Sequence, residues 1–170
     1  ACAPLPVDPG HEADDEGRAL LLDLSLPKSS RLHAAGASVG LVNVYTPNSG
    51  AALQRLDYRV GQWDRRFHAR VDRVRYQCGH AIVGGDLNVA VHDIDIYNPS
   101  EARTQKQAGT TPRERASMRR MLEAEDGADV EALVDAFRHC FPDAAGQYTY
   151  WSQRARNRPR NRGLRLDYFL

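Results

Sequence analysis

Short apolar runs predict the strands of this chain. Residues 18–26 carry leucine at five of nine positions, and residues 38–46 are rich in β-branched side chains, the composition typical of buried strands. Further strands are predicted at 81–83, where Ala-Ile-Val leads into a Gly-Gly pair, and at 148–151 and 164–170. The first 17 residues are rich in proline, glycine and acid and predict a loop.

The longest periodic segment predicts an amphipathic helix. Its apolar residues recur every three or four positions, which places them on one face of a helix. They are Leu53, Leu56, Val60, Trp63, Phe67, Val71 and Val74. Asn48 or Ser49 is expected to cap this helix, and Gly79 to end it. Strand, helix and strand in this order indicate an α/β sandwich, and the pattern leaves open whether the two strands are neighbours.

Two shorter helices are predicted downstream. Thr111, Pro112 and Glu114 form the sequence of a capping box with proline at the first helical position, so a helix should run from there to about residue 124. Residues 130–140 predict a second helix. Its buried side is expected to carry Leu133, Val134, Phe137 and Phe141.

Asp86 and Asn88 are the first candidates for chemistry, since they follow the strand at 81–83 and the Gly84-Gly85 pair. If the extended conformation continues, residues two apart project to the same side of the sheet. A carboxylate can hold a divalent metal or accept a proton from water, and an amide can contact a phosphoryl oxygen. The pair therefore suits phosphate-ester hydrolysis. The alternative is that Asp86 is a turn residue at the end of the strand.

Charge is distributed unevenly along the 170 residues, although the net charge is only +1. Residues 1–25 hold six acids and one arginine, whereas residues 152–165 hold six arginines and no acid, and residues 101–120 carry six basic residues against two glutamates. This asymmetry indicates a polyanion as partner. A solvated basic surface is the alternative. The 42% of hydrophobic residues suffice for the core of one domain.

The cysteines and the hydropathy pattern narrow the class of protein further. Cys2, Cys78 and Cys140 are odd in number and widely spaced, which indicates neither a disulfide framework nor a zinc site and favours a reducing compartment. No apolar run approaches the ~20 residues that span a bilayer, so no membrane partner is expected.

Nine segments occur in the order found in one nuclease family. They are residues 43–50 (Asn-Val-Tyr-Thr-Pro-Asn-Ser-Gly), 55–59, 63–64, 85–90 (Gly-Asp-Leu-Asn-Val-Ala), 94–95, 98–99, 111–115, 148–151 and 165–169 (Arg-Leu-Asp-Tyr-Phe). Through them the chain resembles the exonuclease III type of apurinic/apyrimidinic (AP) endonuclease, in the endonuclease/exonuclease/phosphatase superfamily. The resemblance implies a four-layered αββα sandwich (DNase I-like). Residues 1–170 would be part of one such domain, incomplete at both ends.

The resemblance also implies an activity. Members hydrolyse the phosphodiester on the 5′ side of an abasic site in duplex DNA with Mg²⁺ (Mn²⁺ is an alternative), and some act as 3′ exonucleases or remove 3′ blocking groups. An intracellular monomer is implied, nuclear in a eukaryote and cytoplasmic in a bacterium.

The resemblance assigns a role to each matching residue. Asp86 would activate or position the attacking water, Asn88 would contact the scissile phosphate, and both are candidate metal ligands. Tyr45 would hydrogen-bond the phosphate or assist the leaving oxygen, Asn48 would help to hold it, and Asp167 would orient a catalytic histidine. The wall that receives the flipped-out abasic sugar would be built from Tyr150, Leu164 and Leu166.

Several of these residues also have simpler interpretations. Tyr45 could be a strand-end tyrosine with a wet hydroxyl, and Asp167 could pair with Arg165. Trp151 is expected to be ordinary core.

Departures from the family pattern limit these implications. The family's metal-binding Glu and an early Asn would precede residue 1, and its Ser-Asp-His segment would follow residue 170. Val91 replaces a usual His, and Leu164 replaces a common pocket Trp. We therefore expect the chain alone to be nearly inactive. A phosphoesterase of the same fold acting on inositol phosphates or sphingomyelin, an element-encoded nuclease nicking intact DNA, and a non-catalytic DNA-binding or partner-binding module remain alternatives.

Overall fold

A computed structural model describes residues 2–4, 16–26, 38–123 and 132–170. Its strands are β1 (Cys2–Pro4), β2 (Ala19–Ser25), β3 (Ser38–Tyr45), β4 (Gly79–Asp86) and β5 (Asp167–Phe169). They form one sheet in the order β1-β2-β3-β4-β5. Strands β3 and β4 are parallel neighbours and the other pairs are antiparallel. The predicted strands at 18–26, 38–46 and 81–83 are confirmed.

Three predictions need correction. Residues 2–4 lie in a strand paired with β2 and not in a loop. Residues 148–151 do not form a regular strand, because only Tyr150 makes an isolated bridge, to Leu164. The final strand is shorter than predicted and comprises Asp167–Phe169.

The long helix has three parts. They are α1 (Leu56–Tyr58), a π-helical turn (Arg59–Trp63) and α2 (Asp64–Cys78). Its stripe of apolar residues is buried from Trp63 onwards against β3 and β4. Gly79 ends it as predicted, with φ of 84°. The predicted cap is wrong, because the first helical turn follows Arg55 and no side chain caps it.

Helix α3 (Pro112–Leu122) begins with the predicted capping box at Thr111 and Glu114. Helix α4 (Ala136–Cys140) is shorter than predicted, because Asp135 caps it at the amide of Arg138. Residues 124–131 lie outside the described residues, and 132–135 are not helical. Leu133 is buried as expected, but Val134 and Phe141 are more than half exposed, so their predicted burial is wrong.

The two faces of the sheet differ in how they are covered. Helix α2 packs on the face that carries Gly40, Val42 and Val44. On the other face, aliphatic and aromatic side chains of β2, β4 and β5 remain exposed, among them Leu20, Leu24, Ile82 and Phe169. None of the described helices is long and apolar enough to cross a membrane.

Candidate active site

Three predicted site residues occupy one row across the sheet. In the strand register, Tyr45 of β3 is paired with Asp86 of β4, and Asp86 is paired with Asp167 of β5. Residues paired directly across neighbouring strands project to the same face. The row therefore places one phenol and two carboxylates side by side. It lies where β3 and β4 end, on the face opposite α2.

Asn48 and Asn88 meet in the loops that follow the same two strands. Asn48 Nδ2 donates to Asn88 Oδ1 over 2.9 Å, and Asn88 Nδ2 donates to the carbonyl of Thr46 over 2.8 Å. Asn88 is joined to the row because its backbone N–H donates to Asp86 Oδ1 over 2.8 Å. Tyr45, Asn48, Asp86 and Asn88, which end or follow β3 and β4, are thus brought together.

The route to Asn88 differs from the one the sequence predicted. Strand β4 ends at Asp86, and Asn88 has a φ of 48°, in the left-handed region that asparagine tolerates better than most residues. The extended conformation therefore does not continue to Asn88. A tight turn held by the Asp86 carboxylate places Asn88, and its side chain is buried.

Burial raises the pKa of the Asp86 carboxyl, and the negative charge of Asp167 raises it further. The hydrogen bond from the Asn88 amide and the positive charge of Arg59 act in the opposite direction. A carboxylate whose pKa is raised is a stronger base than an ordinary aspartate. The row therefore has the electrostatics of a proton acceptor at Asp86.

A divalent cation would find a partial set of oxygen ligands here. Asp86 uses Oδ1 for the Asn88 amide and has a second carboxylate oxygen, and Asn88 Oδ1 has a lone pair besides the one that Asn48 occupies. Mg²⁺ is commonly held by one or two carboxylates together with substrate phosphate and water. No cluster of three or more His, Cys, Asp or Glu able to hold a metal occurs among the described residues. The donors present amount to one carboxylate and one amide oxygen, so a divalent cation here would have to take its remaining ligands from substrate and water.

Asp167 is exposed and is not neutralised by Arg165. The Arg165 guanidinium is buried and pairs with Asp95 and Asp135, which excludes the alternative interpretation of Asp167 as its partner. No histidine in the part of the chain that the structure describes is hydrogen-bonded to Asp167. Its predicted role beside a catalytic histidine stays a prediction.

The residues predicted to receive an abasic sugar lie together. Tyr150 and Leu164 form an antiparallel bridge, and Leu164 packs on a small cluster that contains Leu166. Tyr150 is 48% exposed, whereas Leu166 is buried. Tyr150 and Leu164 can therefore offer a surface, and Leu166 supports it from beneath.

The arginine-rich segment, residues 152–162, follows Tyr150 and Trp151. Its side chains are mostly exposed, and Arg158 lies over the ring of Trp151, 5.3 Å from its centroid. Trp151 is half-buried and donates from Nε1 to Asn161 Oδ1, so the prediction that it is ordinary core is wrong. Together with Tyr150 the segment lines an open groove of about 620 Å³.

Comparison with known proteins identifies the family. Residues 10–170 match the model of the endonuclease/exonuclease/phosphatase family. The chain belongs to this family. It is 39% identical to the exodeoxyribonuclease of Bacillus subtilis over 159 residues, which are 94% of this chain and 54% of that protein. It is 38% identical to the DNA-(apurinic or apyrimidinic site) endonuclease of Dictyostelium discoideum over 158 residues, which cover 92% of this chain and 38% of that protein.

A solved structure agrees with this assignment. The AP endonuclease of Leishmania major superposes with a TM-score of 0.78 at 35% identity, covering 99% of this chain and 51% of that one. This confirms the predicted DNase I-like fold class. The chain thus spans about half the length, or less, of the relatives it matches.

Two residues that hold the loops of the site in place were not among the predicted site residues. Arg59 is buried and donates to backbone carbonyls in the loop after β3 and the loop after β4. Glu114 was expected only in the capping box, but its buried carboxylate also accepts from Ser49 Oγ and from the Gly109 amide. Both residues lie in segments that match the family, and that match was the only signal in the sequence.

Proposed function

We propose that this chain is the catalytic-site half of a DNA-repair nuclease that hydrolyses the phosphodiester 5′ to abasic sites in duplex DNA with Mg²⁺. The observation that supports it most directly is the row of Tyr45, Asp86 and Asp167, with the Asn48–Asn88 pair beside it. The names of the Bacillus and Dictyostelium relatives support DNA as substrate. The first of these names also supports exonuclease activity on DNA at the same site.

Each residue of the site has a task in this reaction. Asp86 orients the attacking water and accepts its proton as the new phosphorus–oxygen bond forms. The Tyr45 hydroxyl and the Asn48 amide donate to the phosphate. The bond from phosphorus to the 3′ oxygen breaks and that oxygen takes up a proton from solvent, so the products are a 3′ hydroxyl and a 5′ phosphate that carries the abasic sugar. Mg²⁺ held by Asp86 and Asn88 would neutralise charge on the phosphate. Asp167 orients a histidine that the described residues do not supply.

Recognition of DNA is assigned to the arginine-rich segment and the neighbouring surface of Tyr150 and Leu164. The exposed guanidinium groups supply attraction to phosphates that does not depend on base sequence. An abasic sugar that leaves the helix would pack on Tyr150 and Leu164. The neighbouring Thr149 accepts from the Asp167 amide over 3.1 Å, which joins this surface to the row. Leucine replaces an aromatic wall here, so selectivity against intact nucleotides is expected to be modest.

The test is incision of a labelled duplex with one abasic analogue in Mg²⁺, by this chain and by the natural gene product that contains it. The gene product should cut on the 5′ side of the lesion, and this chain little or not at all. An intact duplex, an inositol phosphate and sphingomyelin are tested as alternative substrates. Preferred hydrolysis of either small substrate, or equal cutting of intact DNA, would contradict the proposal.

A non-catalytic role is tested by affinity measurements on this chain. A DNA-binding module without enzymatic function would bind with a steep dependence on salt and would show no cutting in any metal. The proposed nuclease requires, in addition, cutting by the gene product that is lost when Mg²⁺ is removed with a chelator.

A further inference from the structure

Arg59 makes three buried contacts that the proposed chemistry does not use. Its Nε donates to Asp64 Oδ1 over 2.6 Å, its Nη1 to the carbonyl of Pro47 over 2.7 Å, and its Nη2 to the carbonyl of Leu87 over 2.8 Å. The residue is only 3% exposed. Since a guanidinium holds its donors in a fixed plane, these contacts fix three separate segments relative to one another.

The two carbonyl acceptors lie inside the candidate active site. Pro47 immediately precedes Asn48, in the loop after β3. Leu87 lies between Asp86 and Asn88, in the loop after β4. Arg59 approaches both loops from the helix beneath them, whereas the Asn48–Asn88 bond joins them through their side chains.

The local helix geometry is adapted to this contact. Arg59 is the first residue of the π-helical turn Arg59–Trp63, between α1 and α2. A π turn inserts an extra residue into a helix and often marks a functional position. Asp64, the first residue of α2, is buried and compensates the charge of Arg59.

We propose that Arg59 is a positioning residue that ties the loop after β3 to the loop after β4 and so fixes Asn48 relative to Asp86 and Asn88. The effect on catalysis rests on the proposed function, whereas the linkage of the two loops does not. Lysine carries the same charge but is a point donor, which cannot satisfy two carbonyls and a carboxylate in one plane. Arginine is therefore specifically required at this position.

The first test measures amide hydrogen exchange on this chain. The Thr46 amide, in the loop after β3, donates to the Asp86 carbonyl. The Ala90 amide, in the loop after β4, donates to the Gly109 carbonyl. In Arg59→Lys, and in the charge-matched double variant Arg59→Gln with Asp64→Asn, both amides should exchange about tenfold faster or more. The Val83 and Leu170 amides, which bond each other's carbonyls, should change only with global stability.

The control is Val71→Ala, a buried position of the same helix with no hydrogen bond to either loop. It lowers stability by removing core contacts and should not accelerate Thr46 and Ala90 selectively. The proposal is overturned if only one loop responds to the Arg59 variants, or if Val71→Ala gives the same pattern.

The second test measures kinetics in the natural gene product. Displacement of catalytic groups by about 1 Å can cost on the order of 100-fold in rate, so Arg59→Lys should lower kcat by about 10- to 100-fold with KM nearly unchanged. Val71→Ala should alter neither constant below its unfolding temperature. A kcat for Arg59→Lys no lower than that of Val71→Ala would overturn the catalytic part. If the unsubstituted protein cuts no phosphodiester, the proposed function fails and the exchange experiment alone decides the linkage.

Discussion

The edge of the sheet where β3 and β4 end and the arginine-rich segment use polar side chains in opposite ways. At the edge, Asn88, Arg59 and Glu114 are buried. Asn88 donates to the Thr46 carbonyl, Arg59 donates to the Leu87 carbonyl, and the Glu114 carboxylate accepts from the Gly109 amide. In the arginine-rich segment, the guanidinium groups are exposed, and the contacts of Arg158 are with the face of an aromatic ring. Groups that must hold a phosphate and a water in place need fixed positions. Groups that attract a polyanion need only charge near the surface.

The strongest test of this comparison is Asp86→Asn in the natural gene product. The amide can still accept from the Asn88 N–H, but it cannot accept a proton from water. We expect single-turnover cleavage to fall by about 10²- to 10⁴-fold, while affinity for abasic duplex changes by less than about twofold. Asp57→Asn, at an exposed carboxylate that pairs with Arg113, is the control. Equal losses of rate and affinity in Asp86→Asn would count against its catalytic role.

Gly85→Ala should destabilise the edge of the sheet where β3 and β4 end. Gly85 has a φ of 136°, and a Cβ there would lie 2.1 Å from the carbonyl oxygen of Val44. The backbone of β3 or β4 must move, so we expect the free energy of unfolding to fall by about 2 to 4 kcal/mol. Gly61→Ala is the control, because a Cβ at Gly61 meets nothing within 4 Å. Urea unfolding measures both. A Gly85→Ala variant as stable as Gly61→Ala would show that the edge is not held as described.

The sequence was informative about the edge to the extent that its features are local. The strand before Asp86, the glycine that ends α2 and the capping box at Thr111 each depend on neighbouring residues, and all three are confirmed. The resemblance implied roles in one reaction for Tyr45, Asp86 and Asp167, but their pairing in one row across the sheet was not predicted. Pattern alone left open whether β3 and β4 were neighbours, and the parallel pairing answers that question.

Features that depend on partners distant in sequence could not be predicted. Asn48 and Ser49 do not cap the helix because their side chains bond Asn88 and Glu114. Apolar spacing suggested a helix through Val134, but the Asp135 carboxylate both caps α4 and pairs with Arg165, 30 residues later. Nothing local in the sequence indicates either partner.

The buried His68 makes the stability of the packing beneath the edge depend on pH. His68 lies beneath the edge, near Thr46 and Leu87, and burial lowers its pKa to about 4 from 6.5. The unfolded chain therefore binds more protons between these values, so stability is present above pH 6.5 and is lost as the pH falls towards 4. We expect the free energy of unfolding to fall by roughly 2 kcal/mol over this interval, because the imidazole is partly buried.

His68→Gln checks this assignment by urea unfolding at pH 7 and pH 4.5. The glutamine variant should lose less stability than the unsubstituted chain over this interval. Gln in place of His80, which is exposed, is the matched control against which the His68 variant is compared. Identical pH dependence in the His68 variant and the unsubstituted chain would contradict the assignment.

The smallest expected effect concerns the other region. Replacing Arg154, Arg156 and Arg160 by glutamine removes three exposed charges from the arginine-rich segment. Each phosphate contact contributes about one unit to the slope of log K against log salt, so the slope should decrease by up to about three and affinity at 0.1 M salt should fall about tenfold. Cleavage of saturating abasic duplex by the gene product should be unchanged, because no group of the row has moved.

The control for these arginines removes equal charge elsewhere. Arg65, Arg73 and Arg113 lie on helices α2 and α3, on the far side of the sheet from the row, and their replacement by glutamine gives the same change in net charge. If both triple variants show the same loss of DNA affinity and the same decrease in salt slope, attraction to DNA depends on the net charge of the chain and not on residues 152–162. If only the first triple loses affinity while its turnover at saturation is retained, binding and chemistry are separate in the way the two regions indicate.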